Sequence, residues 1–314
     1  SNMKVLHVDE NHPALVEGLK NLGFQNDLAY KDSLTSILAK IDQYEGLIIR
    51  SRFPVDEAFL LNAKKLKFIG RVGAGLENID LAAVKKHNIH LVNSPEGNRN
   101  AVGEHTLGML LNLFNKLLPA HQSVQNGKWK REQHRGEELS GKTIGIIGYG
   151  NMGKSFSKKL SGFEVNVLCH DLLPNVGDEN AQQLALEDLQ EKCQVISLHT
   201  PETPLTQNII DAAFIDKMKN PFWLLNTARG SAVASEALVE GLKTGKILGA
   251  GLDVLAYESK SFSTVFKNDQ LPDALAYLIA AKNVILSPHV AGWTVESHLL
   301  LATTIVEKIK KIYF

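Results

Sequence analysis

The 314-residue chain is 44% hydrophobic and 22% charged, and its 34 Lys and Arg balance 34 Asp and Glu. That is the composition of a globular protein of about two domains, not of a disordered chain. With no basic excess, no block of like charge and no apolar run of membrane-spanning length, neither nucleic acid nor a membrane is expected as a partner.

Ser1 and Asn2 ahead of Met3 read as an expression remnant. The strand pattern that follows at once gives no sign of a signal peptide, so a cytoplasmic protein is expected. Cys169 and Cys193 sit in apolar contexts. They are expected as buried thiols in a reducing compartment, and no metal site is expected.

Residues 4–8 alternate and read as a strand, and 12–22 as a helix closing near Gly23. Further strands are expected at 46–49, 67–71 and 89–92. The first of these ends at Arg50, Ser51 and Arg52, the second at Gly73, Ala74 and Gly75. Strands alternating with helices imply βαβ units and a parallel sheet, whose ligands bind beyond the carboxyl ends of the strands. Residues 101–118 form a long helical pattern, too apolar for a surface helix and suited to an interface. Residues 126–138 are polar and irregular.

A short apolar run at 144–147 then leads into GYGNMG at 148–153, followed by a helical pattern over 154–160. In a G-x-G-x-x-G turn, Gly148 permits the tight strand-to-helix turn. Gly150 lets a pyrophosphate approach the backbone, and Gly153 lets the helix pack on the strand. The helix that follows directs its unpaired N–H groups at the phosphates. The next strand, 164–170, ends at Asp171, 18 residues after Gly153. An acid there suits ribose hydroxyls and repels a 2′-phosphate, and neighbouring Leu172 and Leu173 offer no arginine to hold one. The expected cofactor is therefore NAD.

Beyond Asp171, strands are expected at 194–198, 222–226, 250–254 and 283–286, with a helix at 235–245. The first of these ends at His199, Thr200 and Pro201, and Thr200 and Pro201 are candidate cofactor contacts. Residues 257–273 are the least regular stretch. Arg229, Glu258 and His289 each follow a strand end. An arginine can clamp a carboxylate, a histidine can carry a proton, and a carboxylate can orient the imidazole. On spacing alone, Glu258 reads rather as a solvated loop acid, His289 as a cap for the next helix and Arg229 as a surface arginine after a strand.

Six ordered motifs add to this reading: RVGAGLENID at 71–80, NSPEGNRNAVGEHTLGMLL at 93–111, GKTIGIIGYGNMG at 141–153, NTARG at 226–230, GLDV at 251–254 and SPHVAGWT at 287–294. In these the chain resembles the D-isomer-specific 2-hydroxyacid dehydrogenases, and within them the D-3-phosphoglycerate dehydrogenase branch. The resemblance implies two parallel-sheet α/β domains of Rossmann-like and flavodoxin-like kind with a cleft between them. Residues 1–95 with 290–314 would bind substrate, and 96–289 would bind NAD. It implies Arg229 as the clamp on the substrate carboxylate and carbonyl, His289 as the acid/base and Glu258 as its partner.

Asn151 and Met152 at the glycine turn would meet the pyrophosphate, and Thr227, Ala228 and Asp253 would line the nicotinamide side, with Gly292 beside it. The amides of Gly73, Ala74 and Gly75 would meet the substrate carboxylate. Arg50 and Arg52, flanking Ser51, would take a substrate phosphate, and Asn98 would sit at the hinge and cleft. A homodimer through the long helix is implied. The branch implies oxidation of 3-phosphoglycerate to 3-phosphohydroxypyruvate in serine biosynthesis. The alternatives are a glyoxylate or hydroxypyruvate reductase and, from another class, a non-catalytic NAD sensor. Two departures stand out: Ser259 follows Glu258 where the family usually has Pro, and the segment from Glu258 to His289 is long. A C-terminal regulatory domain is not expected after Phe314.

Overall fold

The structure, a computed structural model, describes residues 2–258 and 271–314. Ser259 and most of the long segment after Glu258 lie outside the described residues. The chain runs β1 (Lys4–His7), α1 (Ala14–Asn21), β2 (Gln25–Leu28), α2 (Leu34–Lys40), β3 (Gly46–Ile49), α3 (Glu57–Asn62), β4 (Phe68–Arg71), α4 (Leu81–Lys86) and β5 (His90–Asn93). Next come α5 (Pro95–Asn115), α6 (Leu117–Gln125), β6 (Thr143–Ile147), α7 (Asn151–Lys159), β7 (Asn166–His170), β8 (Gln182–Gln183), α8 (Leu186–Lys192) and β9 (Val195–Leu198). It ends with α9 (Ala212–Lys217), β10 (Phe222–Asn226), α10 (Ser235–Thr244), β11 (Ile247–Leu252), α11 (Asp273–Ala280), β12 (Val284–Leu286) and α12 (Val295–Tyr313).

These elements form two units, Ser1–Arg99 with Trp293–Phe314, and Asn100–Gly292. The division expected at 95/96 and 289/290 falls a few residues later at both crossings. At the second, the backbone of 289–291 is hydrogen-bonded to Asp253, inside the second unit.

The first unit is a five-stranded parallel sheet in the order β2-β1-β3-β4-β5. Its inner strand β3 is buried throughout, as a parallel strand covered on both faces should be. The edge strand β2, QNDL, carries no apolar alternation and was not expected. α12 closes one face, burying Ala302, Ile305 and Ile309 among Val5, Ile48 and Phe68. Its start is fixed by a reciprocal capping box between Thr294 and Ser297. Lys308 fastens it further, its Nζ 2.9 Å from both oxygens of Glu96 and 2.8 Å from the Asn93 carbonyl.

The second unit is a seven-stranded parallel sheet in the order β12-β11-β10-β9-β6-β7-β8. The order reverses at β6, which pairs with β9 on one side and β7 on the other. That switch point is where an open α/β sheet leaves a crevice at its carboxyl edge. The helix expected over 101–118 begins earlier, at Pro95, because Pro is favoured at a first helical position. It ends at Asn115, since Lys116 adopts φ 49° and separates α5 from α6. α5 lies over β11, where glycines alternate. A Cβ on Gly251 would sit 3.1 Å from Met109 Cβ, and one on Gly249 3.5 Å from Leu113 Cδ2. The missing side chains allow the close approach that aims the α5 residues one turn earlier at the strand ends. α11 begins at Asp273, where the irregular stretch expected over 257–273 ends, and was not itself expected.

Gly97 tests the packing of the first unit. A Cβ there would lie 2.7 Å from the Leu301 backbone nitrogen. Gly97→Ala is therefore expected to cost about 1–3 kcal/mol in urea denaturation, as overpacking against backbone does. Gly108→Ala, whose Cβ would meet nothing within 4 Å, should not lower the midpoint.

Candidate active site

The glycine turn joins β6 to α7. Gly148 has φ 88°, and a Cβ there would lie 2.6 Å from the His199 carbonyl oxygen. A Cβ on Gly153 would lie 2.3 Å from the Gly148 carbonyl oxygen. Both positions therefore require glycine. A Cβ on Gly150 would meet no protein atom within 4 Å, so the space above the helix start is open. Asn151 and Met152 are the first two residues of α7, and no side chain caps that terminus. Asp171 follows the end of β7 and is clasped to the turn: Oδ2 accepts from the Tyr149 amide at 2.7 Å and Oδ1 from the Leu173 amide at 2.9 Å. Across the crevice edge, Thr200 Oγ1 is buried without a hydrogen bond, and the Pro201 carbonyl accepts from Thr206 Oγ1 at 2.7 Å. His199 is buried too, with its pKa pushed down to about 3 by burial, so it is a neutral ring beside the turn.

The carboxyl ends of β10, β11 and β12 carry the polar cluster. After β10, Asn226 folds the NTARG turn: its Oδ1 accepts from the Ala228 amide and its Nδ2 donates to the Arg229 carbonyl, each at 3.0 Å. Gly230 is needed for close approach, since a Cβ would lie 2.1 Å from the Leu255 carbonyl oxygen. That same carbonyl accepts from the Glu258 amide at 3.0 Å. The Arg229 turn and the Glu258 turn are thus built on one another.

His289 Nδ1 pairs with Glu258 Oε1. The imidazole pKa is raised, chiefly by that hydrogen bond, against burial and the positive charge of Arg229, which lower it. With Nδ1 committed to Glu258, Nε2 is left for a reacting group. His289 itself has φ 56°, a left-handed conformation uncommon for a side chain of this kind. It is held there by Asp253. The His289 amide donates to the Asp253 carbonyl at 2.8 Å. The Asp253 carboxylate accepts from the Val290 amide at 2.8 Å, the Ala291 amide at 3.0 Å and Ser287 Oγ at 2.7 Å.

Asp253, expected on the nicotinamide side, makes its bonds within the fold. Its side chain is fully buried and engaged by the 287–291 loop, so it shapes that loop. Thr227 likewise turns its hydroxyl inward, 2.9 Å from Thr106 Oγ1 on α5. Ala228 lies buried in the turn, and Gly292 ends the unit.

The first unit holds the expected substrate residues, again at strand ends. Arg50 follows β3, its amide bonded to Asp9 Oδ2 at 2.6 Å and its carbonyl to Asn78 Nδ2 at 2.8 Å. Arg50 Nε is buried without a partner, and Ser51 is exposed. Arg52 departs from expectation. Its guanidinium donates to the carbonyls of Val8 at 2.8 Å, Ala29 at 2.7 Å and Asp32, and so braces the loops after β1 and β2 rather than awaiting a phosphate.

Gly73 has φ 148°, and its amide is taken by Ser94 Oγ at 3.0 Å, so it is not a free donor as expected. Ala74 accepts from Asn93 Nδ2 at 2.9 Å, and Gly75 follows it. Asn98 keeps a buried Oδ1 without a partner. Arg71, not singled out in the sequence, lies against this loop: a Cβ on Gly73 would be 2.1 Å from its Nη1.

Comparison with known proteins bears on this arrangement. Residues 107–291 match the NAD binding domain of the D-isomer specific 2-hydroxyacid dehydrogenases. The chain belongs to that family. It is 34% identical over 312 residues to a D-3-phosphoglycerate dehydrogenase of Archaeoglobus fulgidus, covering 98% of this chain and 56% of that one. It is 32% identical over 304 residues to a hydroxypyruvate reductase of Thermotoga maritima, covering 97% of this chain and 95% of the other. Thus it spans about half the length of the curated phosphoglycerate dehydrogenases it matches. Among solved structures, D-lactate dehydrogenase from Aquifex aeolicus, complexed with NAD and lactic acid, superposes with a TM-score of 0.82. That pair shares 26% identity over 98% of this chain and 95% of the other.

The family domain matched over residues 107–291 binds NAD, and the residues of this chain fit that cofactor. The open space above Gly150, the uncapped start of α7 and the clasped Asp171 carboxylate suit a pyrophosphate and a ribose. Among the described residues there is no cluster able to hold a metal ion, and no helix long and apolar enough to cross a membrane.

The Glu258–His289 pair sets a pH test. Glu258 raises the His289 pKa, so Glu258→Gln should lower the midpoint of the His289 imidazole in an NMR titration. In the wild type the proton stabilises the fold below the ordinary histidine pKa, and this contribution is lost as pH rises through the raised value. An unchanged midpoint in Glu258→Gln would contradict the pairing.

Proposed function

We propose that the chain is an NAD-dependent D-2-hydroxyacid dehydrogenase whose substrate pair is 3-phosphoglycerate and 3-phosphohydroxypyruvate, which places it in serine biosynthesis. The observation that carries the chemistry is the Glu258–His289 pair beside the Arg229 turn, at the carboxyl edge of a sheet with a dinucleotide turn. Bound NAD supplies the hydride acceptor for alcohol oxidation, and its reduced form the donor for the reverse. The protein supplies the rest. Arg229 holds the substrate carboxylate and polarises the adjoining oxygen through its planar fork. His289 Nε2 donates a proton to the keto oxygen during reduction and removes it from the hydroxyl during oxidation. Glu258 fixes the ring and keeps it protonated for the reductive direction.

For the substrate's far end we assign Arg50 and Arg71 as the phosphate cations, in place of Arg52. Asn78 links the two, bonding the Arg50 carbonyl and lying 3.4 Å from Arg71 Nε. The amides of Ala74 and Gly75 are assigned to the substrate carboxylate, and Asn98 to the hinge. A glyoxylate or hydroxypyruvate reductase is the second reading, favoured by the engagement of Arg52 with backbone carbonyls.

A homodimer is the assembly we infer. α6 buries none of its residues, and Leu117, Leu118, Val124 and nearby Trp129 are exposed. Two free, buried cysteines support a reducing compartment such as the cytoplasm.

NADH oxidation measured against phosphohydroxypyruvate, hydroxypyruvate and glyoxylate separates the readings. Arg229→Ala should lower kcat/KM by about 10²–10³, the loss typical of a removed charge-stabilising donor. Arg50→Ala should raise KM for phosphohydroxypyruvate and leave the unphosphorylated substrates unaffected. Wild-type preference for glyoxylate or hydroxypyruvate, with no effect of Arg50→Ala, would replace the leading reading with the second.

A further inference from the structure

α5 places two neighbouring polar side chains against the two turns that carry Arg229 and His289. His105 Nε2 lies 2.9 Å from Ser287 Oγ, and Thr106 Oγ1 lies 2.9 Å from Thr227 Oγ1. Each contact has a direction fixed by its other bonds. Ser287 Oγ donates to Asp253 Oδ1, so it meets His105 with a lone pair, and His105 Nε2 must carry the hydrogen. Thr106 Oγ1 donates to the Val102 carbonyl at 2.8 Å, so it accepts from Thr227. The first chain therefore runs from His105 through Ser287 to the carboxylate that also takes the Val290 and Ala291 amides. The second runs from the NTARG turn back into α5.

Helix geometry explains the placement. His105, Met109 and Leu113 recur every four residues and share one face. Met109 and Leu113 pack on the glycine positions of β11, so His105, one turn nearer the N-terminus, stands at the carboxyl end of the sheet. Thr106 is fully buried beside it. A partly exposed histidine could in principle turn to solvent, yet its ring is committed to a hydroxyl 182 residues away in sequence.

We propose that His105 and Thr106 are positioning residues of the dehydrogenase: together they set the Arg229 turn and the His289 loop at a fixed separation on one rigid helix. The proposal rests on the reading of Arg229 and His289 given above. Neither side chain takes part in the chemistry. Each acts through the residue it holds, His105 through Ser287 and Asp253, Thr106 through Thr227. Once Ser287 lacks its donor, its hydroxyl can rotate away from Asp253. The carboxylate then loses one of three bonds, and the left-handed backbone at His289 loses part of what holds it.

The test uses the full chain with four variants: His105→Ala, His105→Gln, Thr106→Val and Thr106→Ser. Gln keeps an N–H donor near the Nε2 position, and Ser keeps the hydroxyl. His105→Ala and Thr106→Val should lower kcat about tenfold while KM for NADH stays within about twofold, since small misplacement of reacting groups costs rate more than cofactor affinity. His105→Gln and Thr106→Ser should recover to within about threefold of wild type.

Amide exchange in the cofactor-free protein supplies a readout independent of turnover. In His105→Ala the Val290 and Ala291 amides should exchange about tenfold faster while β6 and β9 exchange at the wild-type rate, as expected for local opening. A wild-type kcat in both disruptive variants would overturn the proposal. So would a loss that the conservative variants do not rescue, or faster exchange spread over the whole sheet, which would mark plain destabilisation. If the wild type turned over no keto acid, the functional reading would fail, and the exchange result would still judge the loop-positioning claim.

Discussion

A carboxylate removed from water must find donors for its lone pairs, and the donors it finds decide where the surrounding chain runs. Asp253 is that carboxylate here. It has no solvent exposure, and two of its three donors are backbone amides directly after His289, the third a hydroxyl two residues before it. The loop therefore has little freedom, and His289 takes up a left-handed conformation whose cost is about 1–3 kcal/mol. The bonds to Asp253 offset that strain. His289 is thus aimed by a buried carboxylate further back in the chain.

The same economy of means appears upstream in the chain. β11 reads ILGAGL, and its glycines look like poor strand residues until α5 is seen lying on them. Removing two side chains from the sheet face brings the helix close. Closeness places His105 and Thr106 within hydrogen-bond reach of the strand-end turns. Gly230 works similarly on the other side, letting the Leu255 carbonyl approach and so joining the Arg229 and Glu258 turns. In each case a side chain is deleted so that two backbones can meet, and the meeting fixes a functional group.

Features governed by local chemistry were legible in the sequence. The glycine turn, the buried strands and the polar residues at strand ends stood out, because steric need and apolar run length are properties of a few adjacent residues. Features that depend on distant partners were not. Arg52 looks like Arg50 in sequence, but only the fold reveals three carbonyls converging on it. Asp253 sits in a recognisable motif, yet its donors lie 34–38 residues further on. β2 was invisible because an edge strand with exposed, polar residues has no burial pattern to display. The expected start of α5 falls six residues late because its first turn is polar, and only the Pro at its start announces it.

The electrostatics of His289 follow from this placement and bear on how the site changes when an anion arrives. Glu258 raises the imidazole pKa, while burial and Arg229 lower it, and the net shift is upward. Of the two opposing effects, the one from Arg229 is conditional. An anionic substrate held by that guanidinium would cancel part of its positive charge as felt at the ring, leaving Glu258 and Asp253 less opposed. The imidazole would then hold its proton more firmly with a keto acid bound than without one. On the proposed roles, a site arranged in this way would ready its acid in response to the substrate that receives the proton. That response would need no moving part, because the charge that opposes protonation would be the same charge that holds the anion.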